Sequence, residues 1–198
     1  MDKIVCLGKN YSEHAKELGE AAPEKPVIFI KPPSVLMQAT QNGQKLALQL
    51  PEGRGEVHHE CEIVVRLGNE MTIEALTLGL DMTLRDVQSG LKKSGHPWTI
   101  SKVFRDSAVV GPWIKPSEFP NWENQEFNLE INGVLKQKGH AKDMILKATD
   151  SIHYIRQFFP LCPGDLIFTG TPQGVGSVQS GALGKLQWGP IEYEVSWS

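Results

Sequence analysis

Cysteine is scarce: Cys6, Cys61 and Cys162 are the only thiols among 198 residues, and no two of them form a CxxC pair. That scarcity excludes a disulfide framework and a thiolate zinc centre, and it points to a reducing compartment in which each cysteine is a small buried hydrophobe. Long apolar runs are missing as well. None approaches the roughly 20 residues a membrane-spanning helix needs, and the opening MDKIVCLGKNYSEH has no apolar stretch leading to a small-residue cleavage site. A cytoplasmic protein is expected. There is no excess of positive charge: 20 Lys and Arg against 23 Asp and Glu give a formal net charge of -3, which argues against a nucleic-acid or acidic-membrane surface. With no internal repeat, low-complexity tract or linker, residues 1–198 read as one domain whose partner is a small molecule or a second copy of the chain.

What the chain does have is punctuation, with 19 Gly and 13 Pro setting off short alternating or β-branched runs. KIVCLG, PVIFIK, KLALQL, HECEIVVRL, TLGLDMT, FNLEING, DLIFTG and IEYEVSW read as strands, and no regular βαβ alternation accompanies them. Three helices are expected. In MILKATDSIHYIRQFF the apolar residues Ile145, Ala148, Ile152, Ile155 and Phe159 recur three and four residues apart until Pro160 stops the run. A weaker helix covers TLRDVQSGLKKSG, which contains Gly90, and a short turn fits SEHAKELG between Ser12 and Gly19. The fold class is mainly β with a few helices.

The stretch VHHECEIVV holds the first chemical clue. Side chains alternate along a strand, so Glu60, Glu62 and Val64 share one face while Cys61, Ile63 and Val65 share the other. Two like charges on one strand face repel each other and cost stability unless a positive charge answers them. In TLGLDMT, Leu78, Leu80 and Met82 take the core face and Asp81 projects opposite them. Two glutamates and an aspartate on rigid strands, with hard oxygen donors, suit a divalent cation such as Mg²⁺ or Mn²⁺.

In order along the chain, GKNYSEHAKELG, FIKPPSVL, HHECE, LDMTLRDVQ, PWTISKVF and GDLIFTGTPQGVG together resemble the fumarylacetoacetate hydrolase family, in particular its small acylpyruvate hydrolase and oxaloacetate decarboxylase members. The resemblance runs from about Ile4 to about Gly181. It implies a rolled, mixed β-sheet in a single domain, a homodimer, and Glu60, Glu62 and Asp81 as ligands of Mg²⁺ or Mn²⁺. Lys102, in SKVF, matches the family's active-site lysine, a point positive charge for a developing anion. The backbone N–H groups and hydroxyl around Thr171 are implied to hold a substrate carboxylate. Arg85 and Gln88 fall in the LRDVQ match as substrate-binding positions, and Arg85 is open to a second reading, in which it pins the strand carboxylates. His14 and Glu17, three residues apart, match a water-activating pair on a lid helix around residues 11–19. His58 and His59 fit a role in orienting the metal carboxylates, since a hard cation prefers oxygen.

RLGNEMTIEALTLG, between Glu62 and Asp81, is about ten residues shorter than the family pattern, and the first half of the tail ALGKLQWGPIEYEVSWS matches it poorly. IEYEVSW alternates like a closing edge strand. The first functional expectation is metal-dependent hydrolysis of acylpyruvates (2,4-dioxo acids) to pyruvate and a carboxylic acid. The alternatives are decarboxylation or tautomerisation of oxaloacetate, isomerisation of 2-hydroxyhepta-2,4-diene-1,7-dioate, and a catalytically silent oxo-acid binder, because one metal site serves several reactions in this family.

Overall fold

A computed structural model describes residues 1–13 and 26–198. In chain order its strands are β1 (Ile4–Gly8), β2 (Val27–Lys31), β3 (Leu36–Gln38), β4 (Lys45–Leu48), β5 (Val57–His59), β6 (Cys61–Leu67), β7 (Ile73–Asp81), β8 (Thr83–Leu84), β9 (Ala108–Val110), β10 (Phe127–Ile131), β11 (Val134–Gly139), β12 (Leu166–Phe168), β13 (Gly176–Ser177), β14 (Leu183–Trp188) and β15 (Ile191–Trp197). A seven-stranded mixed sheet runs β2-β1-β12-β6-β7-β9-β3, a five-stranded sheet runs β11-β10-β14-β15-β4, and a three-stranded sheet runs β13-β5-β8. The rolled mixed sheet expected from the resemblance is present. No described helix is long and apolar enough to cross a membrane.

The alternation read from the sequence decides which side of the large sheet each residue takes. Cys61, Ile63, Val65, Leu76, Leu78 and Leu80 enter the main core, where they meet Phe127, Leu186, Trp188, Tyr193, Val195 and Trp197 from the five-stranded sheet. Tyr193 fastens the two layers by donating its hydroxyl to Leu78 O at 3.0 Å. On the opposite face Val64 packs with Ile4, Cys6, Ala108, Val110 and Phe168 in a smaller cluster. Covering both faces explains why β6 and β7 read as nearly continuous apolar runs.

The abbreviated connection between β6 and β7 closes as a hairpin. Gly68 N–H donates to Thr72 O at 3.0 Å and Met71 N–H to Gly68 O at 3.1 Å, and the strands then pair from Leu67↔Ile73 to Cys61↔Leu80. At its far end the ribbon leaves the large sheet. HECEIVVRL, expected as one strand, breaks at Glu60: β5 pairs with β8 and β13, whereas β6 pairs with β7 and β12. The second arm breaks at Met82, between β7 and β8. Asp81 N–H donates to Glu60 O at 2.9 Å at this corner, so the acidic residues gather where the ribbon bends from one sheet into the next.

Other expectations need correction. IEYEVSW is interior, because β15 lies between β14 and β4; the parallel partner β4 arrives from far upstream and cannot be foreseen from local alternation. The helix expected over 144–159 is confined to Ala148–Ile155: Met144 bridges Tyr11, and Ile145, counted as core-facing, is 39% exposed. Cys6 and Cys61 are buried as expected, but Cys162 is exposed in the turn before Asp165. The helix Arg85–Lys93 forms despite Gly90, with Asp86 in its first turn and Lys92 and Lys93 in its last, each favourable to the helix dipole. The lid helix placed around 11–19, with His14 and Glu17, lies largely outside the described residues.

Candidate active site

Glu60, Glu62 and Asp81 are 6%, 2% and 1% exposed, and one carboxylate oxygen from each lies within 4.8 Å of the others. Burying three like charges this close is costly without compensation. Cations supply it. Lys102 Nζ lies 2.7 Å from Glu60 Oε2, 2.7 Å from Asp81 Oδ2 and 2.7 Å from Thr83 Oγ1. Arg85 donates to Glu60 Oε1 at 2.5 Å and to Gln88 Oε1 at 2.7 Å. Lys31 Nζ stands 2.6 Å from Asp81 Oδ1 and donates to Met82 O at 3.1 Å and Ser107 O at 2.5 Å.

Glu62 is treated differently. No cation pairs with it among the ion pairs of the described residues; its Oε2 accepts the backbone N–H of Gly170 at 2.7 Å. Burial, with Asp81 and Glu60 adding repulsion, pushes its carboxyl well above the usual glutamate range. Gly170 has φ of +98°, and a Cβ there would stand 2.7 Å from Asn10 Cβ, so only glycine brings this N–H to Glu62. Lys102 is held charged: burial pulls its ammonium down, and Asp81 and Glu60 outweigh it to give a raised pKa.

Lys102 ends the short helix Thr99–Lys102, packed over the cleft by Trp98 and Phe29, with its Nζ 4.9 Å from the Phe29 ring centre. Thr171 follows Gly170 in the loop after β12; its hydroxyl donates to Cys61 O at 2.9 Å and accepts from Gln137 Nε2 at 2.8 Å. Glu60, Glu62, Arg85, Gln88, Lys102 and Thr171 all line one cleft. In this arrangement Arg85 pins a strand carboxylate, the second of the two roles open to it in the sequence. His58 faces Glu56 at 3.2 Å and Arg85 at 3.4 Å, while His59 is buried against Gln137.

Sequence reasoning named neither Lys31 nor Gln137 as site residues. Lys31 did leave a signal, a lysine closing the apolar run VIFIK and followed by two prolines. Gln137 left none, because it reaches the site from a different sheet.

The donor set fits a hard divalent cation. All three residues offer carboxylate oxygens, Glu62 and Asp81 from strands and Glu60 from the break between β5 and β6; Glu62 carries a destabilised negative charge, and the buried Asp81 Oδ1 makes no aligned hydrogen bond even beside Lys31.

Comparison with known proteins shows the family. The family described as fumarylacetoacetate (FAA) hydrolase C-terminal matches residues 3–190, reaching further into the tail than the motifs alone. The oxaloacetate tautomerase YcgM of Escherichia coli is 41% identical over 192 residues, covering 91% of this chain and 85% of that protein. A mitochondrial oxaloacetate tautomerase of Arabidopsis thaliana is 38% identical over 189 residues, covering 90% of this chain and 82% of its own. The crystal structure of fumarylpyruvate hydrolase from Pseudomonas aeruginosa in complex with Mn²⁺ and pyruvate superposes with a TM-score of 0.91 at 32% identity, over 100% of this chain and 91% of that one. The chain belongs to the fumarylacetoacetate hydrolase family.

Proposed function

We propose that this protein is a divalent-metal-dependent enzyme of 2-oxo acids that works by stabilising an enolate, with the keto–enol interconversion or decarboxylation of oxaloacetate as its leading activity. The observation that carries this reading is the buried cluster of Glu60, Glu62 and Asp81 with Lys102 Nζ at 2.7 Å from two of its members. Oxaloacetate moves ahead of the acylpyruvates expected from sequence because of the 41% identity to a protein named for that substrate.

Glu60, Glu62 and Asp81 would hold Mg²⁺ or Mn²⁺, which when bound would supply Lewis-acid polarisation of the substrate carbonyl. The chain's own residues do the rest. Lys102 offers a compact positive charge where negative charge grows on the substrate oxygen. Arg85 keeps Glu60 in place through its guanidinium and holds Gln88 at the cleft wall. The Gly170 N–H sets the rotamer of Glu62, and the Thr171 segment beside it is the receptor for the substrate carboxylate. We assign these roles to one catalytic domain spanning 1–198, acting as a cytoplasmic homodimer.

Hydrolysis of acylpyruvates is the second reading. It is favoured by the His14-x-x-Glu17 spacing and by the likeness to a fumarylpyruvate hydrolase. In it His14 takes a proton from water and Glu17 steadies the imidazolium.

The test follows the enol absorbance of oxaloacetate and of acetylpyruvate with metal-stripped protein, before and after adding Mn²⁺ or Mg²⁺. Metal-dependent acceleration with oxaloacetate alone supports the leading reading. Metal-dependent loss of acetylpyruvate to pyruvate and acetate, abolished by His14→Ala, establishes the second. Inertness toward both, with metal bound, sinks the enzyme assignment.

A further inference from the structure

Gln137 sits on β11 in the five-stranded sheet, the only buried residue in the run Val134–Lys138. A bulge aims it. Leu129 pairs with Gln137 while Glu130 pairs with Leu135, which leaves Lys136 as the extra residue and turns the following side chain inward. The bulge is nested against the glycine loop, since a Cβ on Gly174 would collide with Lys136 O.

Every hydrogen-bonding position of the Gln137 amide is in use. Oε1 accepts from the backbone N–H of Cys61 at 2.9 Å and faces His59 Nδ1 at 2.8 Å. Nε2 donates to Thr171 Oγ1 at 2.8 Å and to Pro172 O at 3.0 Å. Because Oε1 only accepts, His59 carries its proton on Nδ1. Thr171 closes a ring by donating to Cys61 O. The two residues gripped by Oε1 flank Glu60 at the break between β5 and β6, and the two gripped by Nε2 follow Gly170, whose N–H holds Glu62.

We propose that Gln137 is a positioning residue for both glutamates: it clamps the strand break that aims Glu60 to the loop that aims Glu62, across the junction of two sheets. It touches neither carboxylate and acts through His59, Cys61 and the Thr171–Pro172 backbone. The inference rests on the metal-centred reading above. Replacing the amide, itself 1% exposed, with an apolar chain removes four buried hydrogen bonds and frees the bend to relax, and loss of an orienting partner typically weakens metal binding by about 10- to 100-fold.

The experiment is calorimetric titration of Mn²⁺ into the full chain, for the wild type, Gln137→Met and Gln137→Asn, with thermal melts of the same samples. Met removes all four bonds, and Asn keeps an amide too short to span both elements. The expected result is a roughly 10- to 100-fold loss of Mn²⁺ affinity in samples that remain folded at the titration temperature. Variants that melt earlier yet bind Mn²⁺ as the wild type does would overturn the proposal and leave the metal reading intact. A wild type that binds no Mn²⁺ would overturn both. Should the Met variant not fold, the Asn variant decides.

Discussion

Lys102 Nζ and Asp81 Oδ2 are 2.7 Å apart inside the protein, with the lysine 2% exposed and the aspartate 1%. The same ammonium reaches Glu60 at 2.7 Å, so one cation holds together the two carboxylates that strand geometry brings near each other. With Lys31 on Asp81 and Arg85 on Glu60, three cations pair with two of the three carboxylates at the corner of the sheet, and Glu62 is held by the Gly170 N–H instead.

Removing Lys102 should therefore destabilise the metal-free protein. Lys102→Met leaves Glu60 with Arg85 and Asp81 with Lys31, two cations against three buried carboxylates, a change that costs up to about 3–5 kcal/mol, the loss seen where a buried charge is left wholly unpaired. Added Mn²⁺ should recover part of that loss, because the ion replaces the missing charge. Urea unfolding with and without Mn²⁺ checks both parts, and an unchanged midpoint in the metal-free variant would contradict the compensation argument. The pH sign is set by the raised Lys102 pKa: its contribution is complete below the ordinary value of 10.5 and fades as pH climbs through the higher native value.

Glu62 behaves in the opposite sense. Burial and the neighbouring carboxylates raise its pKa, so the metal-free fold binds its proton more tightly than the unfolded chain does. The penalty is absent below the ordinary value of 4.5 and grows as pH rises through the native value. Glu62→Gln should raise the melting temperature of the metal-free protein at neutral pH by a few degrees, roughly 2–4 °C for each kcal/mol in a chain of this size, while lowering Mn²⁺ affinity. A lower melting temperature without metal would show that repulsion is not what Glu62 contributes.

Gly170→Ala tests the backbone geometry of the loop. Its φ of +98° and the 2.7 Å approach of a new Cβ to Asn10 both oppose a side chain. A cost of about 1–3 kcal/mol is expected from the conformation alone. The displaced N–H should also weaken Mn²⁺ binding by freeing Glu62, which calorimetry on the variant would measure.

Asp165 governs acid stability far from the site. Its side chain accepts the N–H groups of Asp2, Lys3 and Cys162 at 2.7, 3.0 and 2.9 Å, and Lys3 Nζ at 3.1 Å, tying the start of β1 to the turn before its parallel partner β12. Burial pushes its carboxyl up, but these donors outweigh burial and hold the pKa below the ordinary 3.8. The stabilisation is present above 3.8 and is lost as pH falls through the lower native value. Asp165→Asn should cost about 1.5–3 kcal/mol at pH 7, with the gap to wild type closing in acid unfolding curves taken below that range.

By itself the sequence determined the faces of β6 and β7, the acidic trio and the family, because side-chain alternation is a local property and the motifs keep their order along the chain. Glu62 with Val64 on one side, and Leu78 and Leu80 on the other, needed only a period of two. Only the tertiary structure decided what neutralises the trio and what aims it. Lys31 joins Asp81 across 50 positions of chain, Gln137 joins Cys61 across 76, and β15 gains its parallel neighbour from β4, nearly 150 positions away. Such pairings follow from how the sheets roll against one another, and no local pattern of residues encodes that packing.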